Sequence, residues 1–281
     1  MRLLRNVLWV MSIPKYLVWT LWQYIAHPIR SSRNTAIVLG AFVRTWVVGR
    51  PLIKRLRQYA SPCSYDNSAR QHSPQYRSQF VWRAGSMLWA RWILRRGGVR
   101  LVVVGSERID RSHPHIFVSN HQSVIDPLVL VSVLRNCRYV CKKEILWYPI
   151  IGAAAQNSAQ IIVDRKDHAQ AMRAVRGGVK QCPNMNLVFF VEGTRTYTGK
   201  LGRFRSGAFA IARETGIPIV PVAITGAFQA LPKGSLLRLK RNAVVRVEFG
   251  EKIEVVGVSR EDVPKLAETA RRVIENMLVR A

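Results

Sequence analysis

The stretch IFVSNHQSVIDP, residues 116–127, passes from a short apolar run into a polar segment that ends in proline. A short apolar run bounded by turn residues is typical of a buried β-strand. Pro127 suits the opening turn of a helix, where its missing N–H costs nothing. The stretch therefore predicts a strand, a turn and a helix in succession, with His121 in the turn.

The same alternation continues through the rest of the chain after Gly97 and Gly98. Apolar runs predict buried strands, and the longer segments between them predict helices. The predicted strands are residues 100–104, 116–119, 138–141, 160–163, 187–191, 219–223 and 244–249, and the predicted helices are 128–134, 168–180, 206–215 and 263–279. Strands that alternate with helices indicate an α/β fold with a mixed, mostly parallel sheet flanked by helices.

His121 and Asp126 are five residues apart in the predicted turn. Across a turn and the first turn of a helix, this spacing can bring the carboxylate to the imidazole. Such a contact fixes the tautomer of the histidine and leaves its other nitrogen as a base. The alternative is an aspartate that caps the helix beside an unrelated histidine. The pair is a candidate general base with an orienting carboxylate.

A second candidate site is FVEGTR, residues 190–195, which follows another apolar run. Glycine turns at the carboxyl ends of strands are where α/β sheets usually bind ligands. The guanidinium of Arg195 can hold one phosphate through two hydrogen bonds, although a solvated arginine is the alternative. A P-loop is disfavoured, because five residues separate Gly193 from Gly199 and Leu201 replaces the required Ser or Thr.

Other common site motifs are missing from the sequence. It contains no Gly-x-Ser-x-Gly nucleophile elbow and no Gly-x-Gly-x-x-Gly dinucleotide fingerprint. The four cysteines, Cys63, Cys137, Cys141 and Cys182, lack the spacing of a zinc site or a disulfide framework. They predict reduced thiols on the cytoplasmic side and no metal site.

The net positive charge of the chain is enriched in its first 99 residues, because they contain a single acid. The chain has 44 Lys and Arg against 16 Asp and Glu, a formal net charge of +28, which implies polyanionic partners. Residues 1–99 hold 16 of these cations, one acid (Asp66) and 7 of the 8 Trp. Tryptophan among arginine and aliphatic residues is typical of a bilayer interface. Nucleic acid would explain the charge but not the apolar stretches, so no nucleic-acid partner is expected.

Three segments divide this N-terminal region. Residues 7–29 carry only Lys15 as a charge but are interrupted by Pro14, so they either span the bilayer marginally or lie in its interface. We favour helices in the cytoplasmic leaflet over the competing cleaved signal peptide. Residues near 60–79 are rich in Ser, Pro and Gln and predict a linker. Residues 79–96 predict a basic helix that either packs on the rest of the chain or contacts membrane.

Five motifs occur in one order between about residues 100 and 250. They are NHQSVID at 120–126, KKEILWYPIIG at 142–152, VDR at 163–165, FVEGTR at 190–195 and IPIVPVAI at 217–224. In this order they resemble the 1-acylglycerol-3-phosphate (lysophosphatidic acid) acyltransferase family. Val191 and Ile145 stand where that family usually has Pro and Leu, a difference that bears on the acceptor more than on the reaction.

The resemblance implies a glycerolipid acyltransferase fold, with a catalytic domain at residues 100–281 and a membrane-associating helical region at 1–99. It implies transfer of a fatty acyl chain from an acyl thioester to the sn-2 hydroxyl of 1-acylglycerol-3-phosphate, which gives phosphatidic acid for phospholipid biosynthesis. The donor would be acyl-CoA or an acyl carrier protein, without a metal, another cofactor or a covalent acyl-enzyme. His121 would be the general base and Asp126 would orient it.

The resemblance also implies how the acceptor binds. Arg195, helped by Lys142 or Lys143, would hold the phosphate, and the acceptor pocket would be shaped by Glu192, Gly193 and Thr194. The partners would then be anionic membrane lipids, a lysophospholipid and the thioester donor, at the cytoplasmic face of a membrane (the inner membrane in a bacterium). The alternatives are an acyltransferase for another lysolipid, such as lyso-ornithine lipid, or a non-catalytic basic module that binds membrane or nucleic acid.

Overall fold

The computed structural model of the chain describes residues 74–147, 149–233 and 239–280. The predicted interfacial segment at residues 7–29 and most of the predicted linker near 60–79 lie outside the described residues. Within the described ranges, no helix has both the length and the apolar character needed to cross a bilayer.

The described strands form one seven-stranded sheet with the order β1-β7-β6-β2-β5-β3-β4. The strands are β1 (Arg100–Val104), β2 (Ile116–Ser119), β3 (Cys137–Lys142), β4 (Ile161–Val163), β5 (Asn186–Phe190), β6 (Ile219–Thr225) and β7 (Val244–Phe249). The run from β6 to β4 is parallel, whereas β7 pairs antiparallel with β6 and parallel with β1. This confirms the prediction of a mixed, mostly parallel sheet.

Helices flank the sheet and connect its strands. They are α1 (Pro74–Arg96), α2 (Asp126–Val133), α3 (Pro149–Asn157), α4 (His168–Gln181), α5 (Gly207–Thr215), α6 (Ala227–Ala230) and α7 (Val263–Val279), with short 3-10 helices at Ser106–Arg108 and Lys143–Trp147. In α7 the buried residues Val263, Leu266, Ala270 and Ile274 recur at intervals of three or four. This spacing puts them on one face of the helix, which packs on the sheet.

Both faces of the sheet are buried, and β2 shows why its sequence is continuously apolar. Ile116 and Val118 belong to one apolar cluster, and Phe117 belongs to the cluster on the other face. Helix α2 packs on the Phe117 side, whereas α5 packs on the opposite side. The neighbouring strands β2 and β5 are thus followed by helices on opposite faces of the sheet. Connections that diverge in this way open a crevice at the carboxyl ends of the strands.

Helix α1 packs against α2 and α3 of the domain. Ala90 and Leu94 are buried, and Arg91 Nε donates a hydrogen bond to the Ser132 carbonyl oxygen over 2.8 Å. The helix begins at Pro74, inside the segment predicted as linker, instead of near residue 79. Of the two interpretations of this helix, packing on the rest of the chain is the one that the structure shows.

The segment after β3 carries the KKEILWYPIIG motif, and none of the predicted helices covers it. It forms a 3-10 helix followed by α3, and Pro149 is the first residue of α3. Proline is tolerated there because the first N–H groups of a helix have no partner within it. A Cβ at Gly152 would lie 2.8 Å from the Leu146 carbonyl oxygen, so only glycine allows α3 to approach the 3-10 helix this closely.

Candidate active site

His121 and Asp126 meet at the carboxyl end of β2. Asp126 is the first residue of α2, and its side chain is fully buried. Its Oδ2 lies 2.8 Å from His121 Nδ1 and accepts the backbone N–H groups of Gln122 and Ser123 over 2.6 and 2.7 Å. Because Oδ2 is an acceptor in these bonds, Nδ1 carries the hydrogen and Nε2 is left as the base.

The imidazole of His121 is also held from its face. The ring of Phe190, at the end of β5, stacks on it with centroids 4.2 Å apart and planes 23° apart. The backbone N–H of Thr196 donates to the His121 carbonyl oxygen over 3.0 Å. Only 14% of the histidine side chain is exposed. The ring is therefore fixed in orientation, and a small part of it remains open to a reactant.

Glu192 joins three segments of the chain through main-chain donors. Its Oε1 accepts the backbone N–H of His121 over 2.7 Å, and its Oε2 accepts that of Gly202 over 2.8 Å. Burial raises the pKa of the Glu192 carboxyl above its ordinary value, while the two N–H groups oppose this shift. Glu192 thus holds the turn after β5 against the loop that carries His121.

The turn after β5 depends on a glycine. Gly193 has a φ of 71°, and a Cβ there would lie 2.3 Å from Arg205 Nε. Arg165 donates to the Gly193 carbonyl oxygen from the other side. Thr194 is exposed and Arg195 is partly exposed, so the turn offers a hydroxyl and a guanidinium to a ligand.

An open cavity of about 1300 Å³ adjoins this turn. Its apolar wall includes Val163, Met172, Val175, Phe189, Leu201 and Phe204. Its cationic residues are Arg165, Arg195, Arg203, Arg205 and Arg271. An apolar wall with guanidinium groups around it suits a ligand that has an apolar chain and an anionic group.

Lys142 and Lys143 lie at the same edge of the sheet, one strand away from the turn and two strands away from His121. Lys142 ends β3 and Lys143 begins the 3-10 helix that follows, and β5 stands between β3 and β2 in the sheet. Both are exposed, and Lys143 forms an ion pair with Asp164. Among the described residues that line the cavity, neither lysine is present.

Three further cations contact the turn, and sequence reasoning assigned none of them a role. Arg165 lies within the VDR motif, two residues after the end of β4, and that position was a usable signal. Arg205 and Lys233 gave no local signal, because their partners are distant in sequence. Among the described residues, no cluster of three or more His, Cys, Asp or Glu that could hold a metal ion occurs.

Comparison with known proteins agrees with this geometry. Residues 100–225 match the Acyltransferase family model, which places the His121 loop, the Glu192 turn and β6 in an acyltransferase domain. The fold is similar to the crystal structure of the 1-acyl-sn-glycerophosphate acyltransferase PlsC from Thermotoga maritima. The TM-score is 0.67 at 22% identity, over 88% of this chain and 97% of that chain.

The names of similar proteins point to one class of acyltransferase. The chain is 34% identical over 139 residues to the chloroplastic 1-acyl-sn-glycerol-3-phosphate acyltransferase BAT2 of Brassica napus, covering 47% of this chain and 39% of that protein. It is 32% identical over 178 residues to the human 1-acyl-sn-glycerol-3-phosphate acyltransferase alpha, covering 62% of each. These comparisons confirm the resemblance of the motifs to the 1-acyl-sn-glycerol-3-phosphate acyltransferase family. The chain spans less than two thirds of the length of these relatives.

The raised pKa of Glu192 predicts a pH-dependent term in stability. Between the ordinary pKa and the raised pKa of the folded state, the folded protein binds more protons at this carboxyl than the unfolded protein does. A folded-state pKa above the ordinary value of 4.5 means that stability from this group is gained as the pH falls through that pKa. In Glu192→Gln this titration is absent.

Denaturant unfolding of both proteins between about pH 4 and pH 8 measures this term. The stability difference, wild type minus Glu192→Gln, should fall as the pH rises through the pKa and become constant above it. A difference that instead rises with pH would mean that the two N–H donors outweigh burial.

Proposed function

We propose that the protein transfers a fatty acyl chain from an acyl thioester to the sn-2 hydroxyl of 1-acylglycerol-3-phosphate and so forms phosphatidic acid. The observation that carries the proposal is the oriented His121–Asp126 pair beside the Arg195 turn, at the carboxyl ends of two neighbouring parallel strands. The names of the relatives support this choice of acceptor.

In this reaction the acceptor hydroxyl oxygen attacks the carbonyl carbon of the thioester while His121 Nε2 takes the hydroxyl proton. The C–O bond forms, and negative charge develops on the carbonyl oxygen. As this intermediate collapses, the C–S bond breaks and the imidazolium returns the proton to the leaving thiolate. Buried Asp126 stabilises the imidazolium between these steps. The acyl group therefore passes directly from the thioester to the hydroxyl, without a covalent acyl-enzyme.

Arg195 is the proposed contact for the acceptor phosphate, because its guanidinium can make two charge-assisted hydrogen bonds to one phosphate. Gly193 and Thr194 form the rest of the turn that carries it. Lys142 and Lys143 lie farther along the same edge and would act on the phosphate through longer-range attraction. The apolar wall of the cavity, whose lining includes Glu192 and Arg195 but not His121, would take an acyl chain.

The catalytic proposal predicts a large loss of turnover in His121→Ala. General-base catalysis contributes roughly 100- to 10,000-fold, so acyl transfer should fall by at least about 100-fold while the protein stays folded. The assay supplies a panel of lysolipids with acyl-CoA or acyl carrier protein donors and detects the products by mass spectrometry.

A matched control is His113→Ala. His113 also contacts an aspartate, Asp110, over 2.6 Å, but this pair is exposed and lies outside the site. The His113→Ala substitution should leave turnover unchanged. Near-normal turnover in a folded His121→Ala protein would contradict the mechanism, and transfer only to a lipid such as lyso-ornithine lipid would change the acceptor.

The role of Arg195 predicts a change in acceptor affinity. Arg195→Lys keeps the charge but loses the two-pronged guanidinium, so the KM for lysophosphatidic acid should rise several-fold, and Arg195→Ala should raise it further. The KM for the donor should barely change. Arg111→Lys, at an exposed arginine outside the site, is the control. An unchanged acceptor KM in Arg195→Ala would remove this side chain from the phosphate site.

We also propose that residues 1–99 form a membrane-associating region and that residues 100–281 catalyse transfer at the cytoplasmic face. The support is composition: 16 cations, one acid and 7 Trp in the first 99 residues. Each basic residue near an anionic surface contributes about 1 kcal/mol to binding, and tryptophan burial adds a part that salt does not screen.

Deletion of residues 1–49 should therefore reduce recovery of the protein in the membrane fraction, and high salt should release only part of the full-length chain. Fractionation at low and high salt, with circular dichroism to show that the shortened protein is folded, measures both effects. A full-length protein found wholly in the soluble fraction at low salt would show that the proposal is wrong.

A further inference from the structure

The ammonium of Lys233 lies against the turn that carries Arg195. Its Nζ is 3.1 Å from the Arg195 carbonyl oxygen and 3.4 Å from Thr194 Oγ1, and it lies 3.4 Å from the centroid of the Tyr197 ring. A lysine ammonium has three N–H donors. Two oxygens and one aromatic face surround this ammonium at contact distance, so the cation is engaged within the protein.

The segment that carries Lys233 is itself anchored to the loop of the catalytic pair. The hydroxyl of Ser123 donates to the Leu231 carbonyl oxygen over 2.5 Å, and Leu231 is buried. Lys233 follows two residues later, on a segment that begins with α6. The position of its ammonium is therefore fixed relative to the loop that contains His121 and Asp126.

The His121 loop, the Glu192 turn and the α6 segment are connected to one another in pairs. The His121 loop holds the Glu192 turn through the carboxylate of Glu192 and through the Thr196 N–H. The same loop holds the α6 segment through Ser123. Lys233 makes the third connection, from the α6 segment back to the turn. Without it, the turn would be held at Glu192, at the Gly193 carbonyl oxygen by Arg165, and at Thr196, which lie on either side of Thr194 and Arg195.

We infer that Lys233 is a positioning residue that sets the affinity for the phosphate of the acceptor by fixing the backbone of Thr194 and Arg195. A guanidinium binds a phosphate through two bonds only when its backbone holds it at one angle. The effect reaches the acceptor through Arg195, so the donor and the chemical step are untouched. The effect on affinity rests on the proposed function, whereas the contact of Lys233 with the turn is independent of it.

The test compares Lys233→Met, Lys233→Arg and the control Lys200→Met in the full-length chain. Lys200 is exposed in the same loop as the turn, so its removal takes away the same charge without the contacts of Lys233. In Lys233→Met the KM for lysophosphatidic acid should rise about tenfold, with kcat and the donor KM within about twofold of wild type. Lys233→Arg should recover most of this affinity, and Lys200→Met should stay within about twofold.

Hydrogen exchange of the backbone amides in residues 194–198 gives a second readout that needs no substrate. These amides should exchange about tenfold faster in Lys233→Met than in wild type or Lys200→Met. Equal acceptor KM in wild type and Lys233→Met, equal losses in both Met variants, or unchanged exchange would overturn the inference. If the wild type acylates no lysophosphatidic acid, the proposed function fails, and the exchange rates still decide whether Lys233 holds the turn.

Discussion

The buried carboxylate of Asp126 is the constraint on which the site depends. One of its oxygens accepts three hydrogens, one from the His121 ring and two from the main chain of the next two residues. A buried carboxylate needs hydrogen-bond donors, and here they converge on Oδ2, so the loop between β2 and α2 has to fold around that oxygen. The orientation of His121 follows from this loop conformation, because the same oxygen that closes the loop also accepts the ring hydrogen.

The second carboxylate, Glu192, extends this constraint to the neighbouring strand. The pairing of β2 with β5 brings the ends of both strands together, and Glu192 bonds the main chain of the His121 loop there. His121 and the turn that carries Arg195 are therefore parts of one hydrogen-bonded unit. Two reactants that bind to the two parts would be held in a fixed relation, which the proposed direct transfer between them requires.

Much of the fold could be predicted from the sequence because the strands are buried on both faces, so that they appear as continuous apolar runs. The His121–Asp126 contact was predictable for a similar reason, since the two residues are local in sequence. Strand order is not local, and β5 is inserted between β2 and β3. This insertion places Lys142, at the end of β3, one strand from the Arg195 turn and two strands from His121. Lys233 escaped prediction because its contact with the Arg195 carbonyl oxygen spans 38 residues.

The donors to both carboxylates have a consequence for how the sequence of this site can change over evolution. Apart from the His121 ring, Asp126 and Glu192 are bonded by backbone N–H groups, at His121, Gln122, Ser123 and Gly202. A backbone N–H survives almost any substitution, and proline alone removes it. At Gln122 and Ser123 these bonds therefore exclude mainly one residue type, whereas at Gly202 a Cβ would also lie 2.8 Å from Glu192 Oε2. Exposed side chains around them, such as that of Thr194, can diverge while the geometry of the base is inherited unchanged.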